Sequence, residues 1–345
     1  MNVQAAATTG RIPTAAITGF IADAMVNCGV PSNDSGKIAE LMLEADLVGA
    51  EAHGIFRLPQ YVQRLKLGST NAKPNIRVKR TAPATALING DNGMGHLVVA
   101  RAAETAIELA RECGGAGVYA ALPLKADMVG IYSAVANANH MPLAGGAEPL
   151  LGTNPLAIAI PAGEEAPVVL DIATSIVSYG TIKNHKLLNR PLKGDWMINP
   201  KTGEAVTDPQ KSGEALLLPM GGYKGAGLAL VLGLLAGTLN GALFGCDCVD
   251  FNAEPGKVTN TGQFVLALDP SRFQPLAQFK AEVDRHMREL RKSKSLPGQS
   301  VRLPGEERAK RRADRLANGL ALAPELLRQL DKLAAELSIK LLRDR

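Results

Sequence analysis

Cysteine, aromatic residues and long apolar runs are all scarce in this chain. Its 345 residues include 4 Cys, 1 Trp and only 4% aromatic residues in total. Cys28, Cys113, Cys246 and Cys248 are scattered, and their one close pair reads C-D-C. That is neither zinc spacing nor a disulfide framework, so reduced thiols in a cytoplasmic protein are expected. The most apolar stretch, Gly225 to Leu239, is short and glycine-rich for a bilayer span and reads as a buried helix. The opening MNVQAAATTGRIPTAA lacks a charged segment leading into an apolar signal core, so neither membrane nor export is expected. His96, His185 and His286 have no partner at metal-ligand spacing, and no metal is expected. Also missing is G-x-G-x-x-G between a strand and a helix, the mark of the doubly wound dinucleotide fold.

Charge is unevenly spread. The net value is +5, yet residues 271–345 carry 18 Lys and Arg against 10 Asp and Glu. A basic end of this kind raises the question of nucleic acid. Here the cations alternate with acids along helix-like stretches (AEVDRHMREL, GEERAKRRADRLA) and no aromatics interleave, which describes solvated helical faces. No nucleic-acid partner is expected.

With 46% hydrophobic residues, 35 Gly and 21 Pro, the chain can bury a sizeable core joined by many turns. Apolar spacing predicts helices over 13–28, about 35–49 and 58–67, with Thr14 and Ser35 or Asp34 as caps. From Pro83 the pattern changes to short runs bounded by Gly and Pro: ATALIN, AGVYAAL, LAIAIP, PVVLDIA and FVLALDP. Helical patterns at 98–113 and 222–241 lie between them, and helices return near 274–292, 306–317 and 324–341. The expected fold class is α/β in the broad sense (α+β), with one main sheet flanked by helices. Three portions follow: helical 1–75, sheet-containing 76–270, and helical 271–345 packing back on the first.

Several residues carry candidate chemistry. His53 could be a proton donor and acceptor, since imidazole titrates near working pH, or merely a structural histidine at a helix end. Arg57, four residues on, would share its side of a helix; it could hold a carboxylate in two parallel bonds or pair with a surface acid. Asp171, Thr174 and Ser175 follow a strand, where groups face a ligand or cap the next helix. Lys224 and Gly225 lie in GGYKGAG at the start of the apolar helix, a place suited to an anion or to tight helix packing. Pro304, Gly305, Glu306 and Arg308 read as a Pro-Gly turn before a helix.

Five segments occur in the order of one known family: AHGIFRLPQYVQRL (52–65), GDNGMGH (90–96), GGAEPLLGTNP with its D-I-A-T-S loop (145–175), GGYKGAGLALVLGLLAGTLNGALFG (221–245) and RLPGEER (302–308). The chain resembles the type-2 malate/L-lactate dehydrogenases, over nearly its whole length. That resemblance implies a non-Rossmann nicotinamide-binding fold with a large, mostly antiparallel sheet. It implies an NAD- or NADP-dependent oxidoreductase interconverting a 2-hydroxy acid, or cyclic amino acid, with its 2-oxo acid or imine. It implies a homodimer. By the same resemblance His53 is the general acid/base and Arg57 the carboxylate ligand, while Asp171, Thr174, Ser175, Lys224, Gly225, Pro304, Gly305, Glu306 and Arg308 meet the cofactor. The chain departs from the family pattern at Val48, Glu51 and Ala52, which replace Arg, Asp and Ser. Lys125 stands where a second catalytic histidine is expected, and a solvated ammonium donates hydrogen bonds without acting as a base. The junction from Tyr132 to Gly145 is short by about a strand and its turn. An altered relative that binds dinucleotide or partner without turnover is the alternative those departures raise.

Overall fold

The computed structural model describes residues 10–113 and 120–345. In chain order the elements are α1 (Thr14–Asn27), α2 (Ser32–Leu47), α3 (Leu58–Lys66), β1 (Arg77–Ala82), β2 (Thr85–Asn89), α4 (Gly95–Cys113), β3 (Val129–Ala134), β4 (Leu156–Ile160) and β5 (Val168–Ile172). They continue with α5 (Tyr179–Leu187), β6 (Met197–Ile198), β7 (Leu216–Leu217), α6 (Tyr223–Ala236), β8 (Gln263–Leu268), α7 (Leu276–Arg291), α8 (Glu306–Asn318) and α9 (Pro324–Leu337). Contacts divide the chain into two units: Met1–Arg77 with Asn89–Val98 and Gly305–Arg345, and Val78–Ile88 with Val99–Pro304.

The first unit is helical. Ile17, Phe20, Ile21, Ala24 and Met25 on α1 recur at helical spacing and meet Ile38, Ala39 and Met42 of α2 in one apolar cluster. Leu326, Leu330, Leu333 and Leu337 of α9 close the same cluster, so the end of the chain completes the core begun by its start. Before α1, Ile12 pairs in both directions with Leu320, at 2.8 and 3.0 Å. Neither α1 nor α2 has a side-chain cap: proline stands at each N-cap (Pro13, Pro31), so Thr14, Asp34 and Ser35 lie inside their helices. Proline fixes φ and sets the chain's entry, which replaces the expected caps.

The second unit centres on a four-stranded sheet in the order β5-β4-β3-β8, with every pairing antiparallel. The predicted runs LAIAIP, PVVLDIA and FVLALDP supply β4, β5 and β8. AGVYAAL spans 116–122; residues 116–119 lie outside those described, and Ala120 to Leu122 form a turn. The inner strand is instead β3, VGIYSA, paired with β4 from Gly130↔Ala159 and with β8 from Val129↔Leu268. Small or polar residues at its most buried positions, Gly130 and fully buried Ser133, hide its period-two signal. Part of the junction read as shortened is therefore a central strand. Beyond it, Met141 and Leu151 bridge across the turn.

Helix α7 groups with the sheet unit, and the change of unit comes at Gly305. The reason is a carboxylate clamp. Asp284 of α7, 5% exposed, accepts the backbone N–H groups of Gly163, Glu164 and Glu165 at 2.9, 2.8 and 3.2 Å. Arg288 adds ion pairs to Glu164 and Glu165.

Asn154 in the G-T-N-P turn is fully buried, accepting from the Ala136 N–H at 2.9 Å and donating to the Ala229 carbonyl at 2.8 Å. Truncating it strands two buried backbone groups. The Asn154→Ala variant is expected to lose about 2–4 kcal/mol of stability, read as a lower urea midpoint with the slope unchanged; a midpoint equal to that of the parent would refute this role for the amide.

Candidate functional site

The segment from Glu51 to Lys66 is not one continuous helix. Glu51–His53 and Ile55–Arg57 are separate 3-10 turns broken at Gly54, and α3 follows at Leu58. His53 and Arg57 therefore occupy consecutive turns and do not share a helix face. His53 is exposed. Arg57 is half-buried, donating from Nε to the Ala52 carbonyl at 2.9 Å and from Nη1 to the Gln60 side chain at 2.6 Å. Its guanidinium is thus held in place by the preceding turn and by α3.

Two further side chains join this cluster. The ring of Tyr61 on α3 meets His96, in the first turn of α4, edge to face, with centroids 5.4 Å apart and planes at 89°. Burial pushes the Tyr61 hydroxyl's pKa up and Arg57 pulls it back. Burial, and next the nearby His53, push His96 down to about 4. His96 Nδ1 is buried with no hydrogen-bond partner among the described residues. A buried polar atom left unpaired costs free energy, and such groups gather where a ligand supplies the missing bond.

Behind the turn lies Asp46, 1% exposed, at the end of α2. Its carboxylate accepts the Ile55 N–H at 2.8 Å. Burial raises its pKa, the Ile55 bond lowers it, Glu51 raises it and Arg315 lowers it, with the outcome about 7.

In the second unit, four of the predicted cofactor residues, Thr174, Ser175, Lys224 and Gly225, lie around the start of α6, whereas Gly305, Glu306 and Arg308 fall in the first unit. Thr174 is fully buried, and its N–H and hydroxyl both donate to the Thr153 carbonyl, at 3.1 and 3.0 Å. Its own carbonyl accepts the Met220 N–H at 2.9 Å. Ser175 bridges Pro219 and spends its hydroxyl on the Val177 carbonyl at 2.7 Å. Gly225 permits this closeness, since a Cβ there would stand 2.3 Å from the Met220 oxygen and 2.7 Å from the Thr174 oxygen. Its glycine thus serves backbone packing. Lys224 is exposed at the N-terminus of α6, where Gly222 (φ 64°) caps the helix without a side-chain bond. Asp171 lies on β5 opposite Ala157. The Pro304 carbonyl accepts the Val169 N–H of β5 at 3.4 Å, Gly305 (φ 94°) is the N-cap of α8, and Glu306 and Arg308 lie in that helix's first turn. Lys125 is exposed on a 3-10 turn, Pro123–Ala126, in the sheet unit.

Among the described residues, no group of three or more His, Cys, Asp or Glu stands close enough to hold a metal ion, and no helix is long and apolar enough to cross a membrane.

The family model for malate/L-lactate dehydrogenase matches residues 12–331. The L-sulfolactate dehydrogenase of Methanothermobacter thermautotrophicus is 35% identical over 339 residues, covering 93% of this chain and 96% of the relative. The malate dehydrogenase of Pyrococcus horikoshii is 31% identical, covering 96% of each. Among solved structures, the sulfolactate dehydrogenase from Methanocaldococcus jannaschii superimposes with a TM-score of 0.86 at 32% identity, over 97% of this chain and 99% of that one. Fold and relatives define a nicotinamide-dependent dehydrogenase acting on hydroxy acids. The chain belongs to the malate/L-lactate dehydrogenase family.

Asp46 lies outside the family-like motifs, and His96 closes GDNGMGH without being assigned a role, yet both leave a trace in the sequence. Asp46 continues the buried face Ile38, Ala39, Met42 at helical spacing, and His96 stands one turn before Val99 and Ala100 on the inward face of α4. A polar residue in register with a buried stripe is the signal in both cases.

The His96 shift fixes a pH dependence. Its folded pKa, about 4, is below its ordinary 6.5, so the stability it confers is present above 6.5 and lost as pH falls towards 4. Asp46 works oppositely: raised from 3.8 to about 7, it contributes stability at low pH that is lost as pH rises through 7. The difference between His96→Gln and the parent isolates the histidine. Urea midpoints at pH 7 and pH 4 are expected to show the variant spared a loss on the order of 3 kcal/mol; parallel curves would contradict the burial of His96.

Proposed function

We propose that this dehydrogenase reduces a 2-oxo acid bearing a second acidic group, and oxidises the matching 2-hydroxy acid, with His53 as the proton donor and acceptor. The observation that carries the reading is the cluster of His53, Arg57, Tyr61 and the unpartnered His96 in one helical unit. When bound, the nicotinamide supplies the hydride that reduces C2. His53, exposed on its turn, gives its proton to the carbonyl oxygen as that oxygen gains charge, and takes it back in the reverse direction. Arg57, held by Ala52 and Gln60, pairs with the carboxylate beside C2. Neutral His96 supplies a hydrogen bond to a polar group of the substrate without competing for its proton.

The cofactor assignment rests on the second unit. The uncapped start of α6 with Lys224 suits a dinucleotide phosphate, because helix N–H groups and an ammonium both favour anions. Thr174 and Ser175 lie on the loop bonded to that start, Asp171 lies on β5, and the Pro304 carbonyl accepts from that strand. Relatives' names specify both NAD(+) and NADP(+), and either is admitted here. The second acidic group follows from the sulfolactate and malate relatives, whose substrates carry a sulfonate or carboxylate beyond C2.

A homodimer is also part of this reading. Helix α6 is apolar all round, yet its Tyr223, Val231 and Leu234 are 71%, 53% and 43% exposed, and Leu239 in the 3-10 turn that follows is 66% exposed. A second copy would cover that face. Cytoplasmic residence accords with unpaired Cys28, Cys246 and Cys248.

Following absorbance loss of NADH and NADPH with oxaloacetate, sulfopyruvate and pyruvate tests the substrate class. The diacids are expected to exceed pyruvate at least tenfold, roughly, in kcat/KM, and pyruvate turned over equally well would remove the second acidic group from the proposal. Arg57→Lys should raise KM for the oxo acid by on the order of tenfold or more, through loss of the paired bonds, while His53→Ala should lower kcat by about 100-fold or more; an unchanged KM in the first or kcat in the second would contradict the role assigned to that residue.

A further inference from the structure

We infer that Asp46 is a positioning residue for the reaction: its buried carboxyl ties the backbone of the His53–Arg57 turns to helix α2. The inference rests on the reading of His53 as proton donor and Arg57 as carboxylate ligand.

The geometry is specific. An acidic side chain occupies the inward register of α2 after Ile38, Ala39 and Met42, where an apolar residue would be expected. Burying a carboxyl is costly unless it is bonded. The bond it makes is to the Ile55 N–H, at 2.8 Å, at the start of the turn that carries Arg57. Its other contact is Gly54, the residue directly after His53. A Cβ on Gly54 would lie 1.9 Å from Asp46 Oδ1 and 2.1 Å from Cγ, so no side chain fits there. Glycine is required there for the approach of the carboxyl. Asp46 thereby grips the one peptide link between the histidine turn and the arginine turn.

The charges acting on it come from two elements. Glu51 lies on the histidine turn itself, and Arg315 of α8 donates to both the Asp46 carbonyl and the Glu51 carboxylate. Arg312 of α8 also pairs with Glu44 of α2. The arrangement clamps both ends of the turn: Asp46 from behind and Arg315 from the side. A placement error near 1 Å in a catalytic group is enough to cost large factors in rate.

The experiment compares Asp46→Asn, Asp46→Ala, Gly54→Ala and His53→Ala in the full-length protein, with oxaloacetate and the preferred nicotinamide, after thermal unfolding has shown which variants fold. Asp46→Ala and Gly54→Ala are expected to lose about 10- to 100-fold in kcat, while KM for the nicotinamide stays within about twofold. Asp46→Asn keeps the acceptor oxygen and the volume, and should recover part of that rate, remaining roughly three- to tenfold below the parent. If Asp46→Ala and Gly54→Ala do not fold, Asp46→Asn decides: a kcat within about twofold of the parent overturns the inference. Folded Asp46→Ala with parental kcat overturns it as well. Full activity in His53→Ala overturns instead the reading on which it rests, and the two failures are told apart by that parallel variant.

Discussion

The Asn154 amide bonds the Ala136 N–H just beyond β3 and the Ala229 carbonyl inside α6. One buried side chain therefore fixes the central strand, the G-T-N-P turn and the apolar helix against one another. From the residue before it, the Thr153 carbonyl receives both donors of Thr174, whose own carbonyl receives the Met220 N–H at the approach to α6. In a doubly wound fold a glycine loop after the first parallel strand provides the phosphate site. Here every pairing of the main sheet is antiparallel, so among the described residues that sheet offers no such strand end. The helix start that carries Lys224 is placed by side-chain ties.

The helical unit handles its buried polar groups differently. His96 is kept neutral by burial and by His53, and Asp46 is lifted to about 7 by burial against its bond to Ile55. Both are buried, His96 fully neutral at neutral pH and Asp46 close to its midpoint there. The proton-transfer role proposed for His53 falls to the exposed member of the cluster, beside these buried groups. The basic helices at the end of the chain contribute here too. Arg312 and Arg315 pair with Glu44 and Glu51, and Arg11 pairs with Asp314, so much of the charge excess on α8 is engaged within the unit.

Much of this was legible in the sequence, unevenly and for identifiable reasons. The amphipathic helices were readable because Ile17, Phe20, Ile21 and Leu326, Leu330, Leu333 repeat cleanly; caps were misplaced because proline, not Thr14 or Ser35, opens the helices. Strand β3 was hidden because Gly130 and Ser133 occupy its buried positions. His53 and Arg57 stood out through side-chain chemistry and motif order. His96 closed one of the ordered motifs without a role of its own, Asp46 lay in none of them, and burial is what reveals both. The departure at Lys125 was visible, but its exposure was not, since that depends on the turn around it.

The most direct test follows the transferred hydrogen. The protein would be incubated with oxaloacetate or sulfopyruvate and nicotinamide deuterated in turn on each face of C4, and the hydroxy acid examined by mass spectrometry. The account predicts deuterium at C2 of the product from one of the two labelled faces. A hydroxy acid formed without label from either face, or no oxidation of either nicotinamide with any 2-oxo diacid, would contradict it.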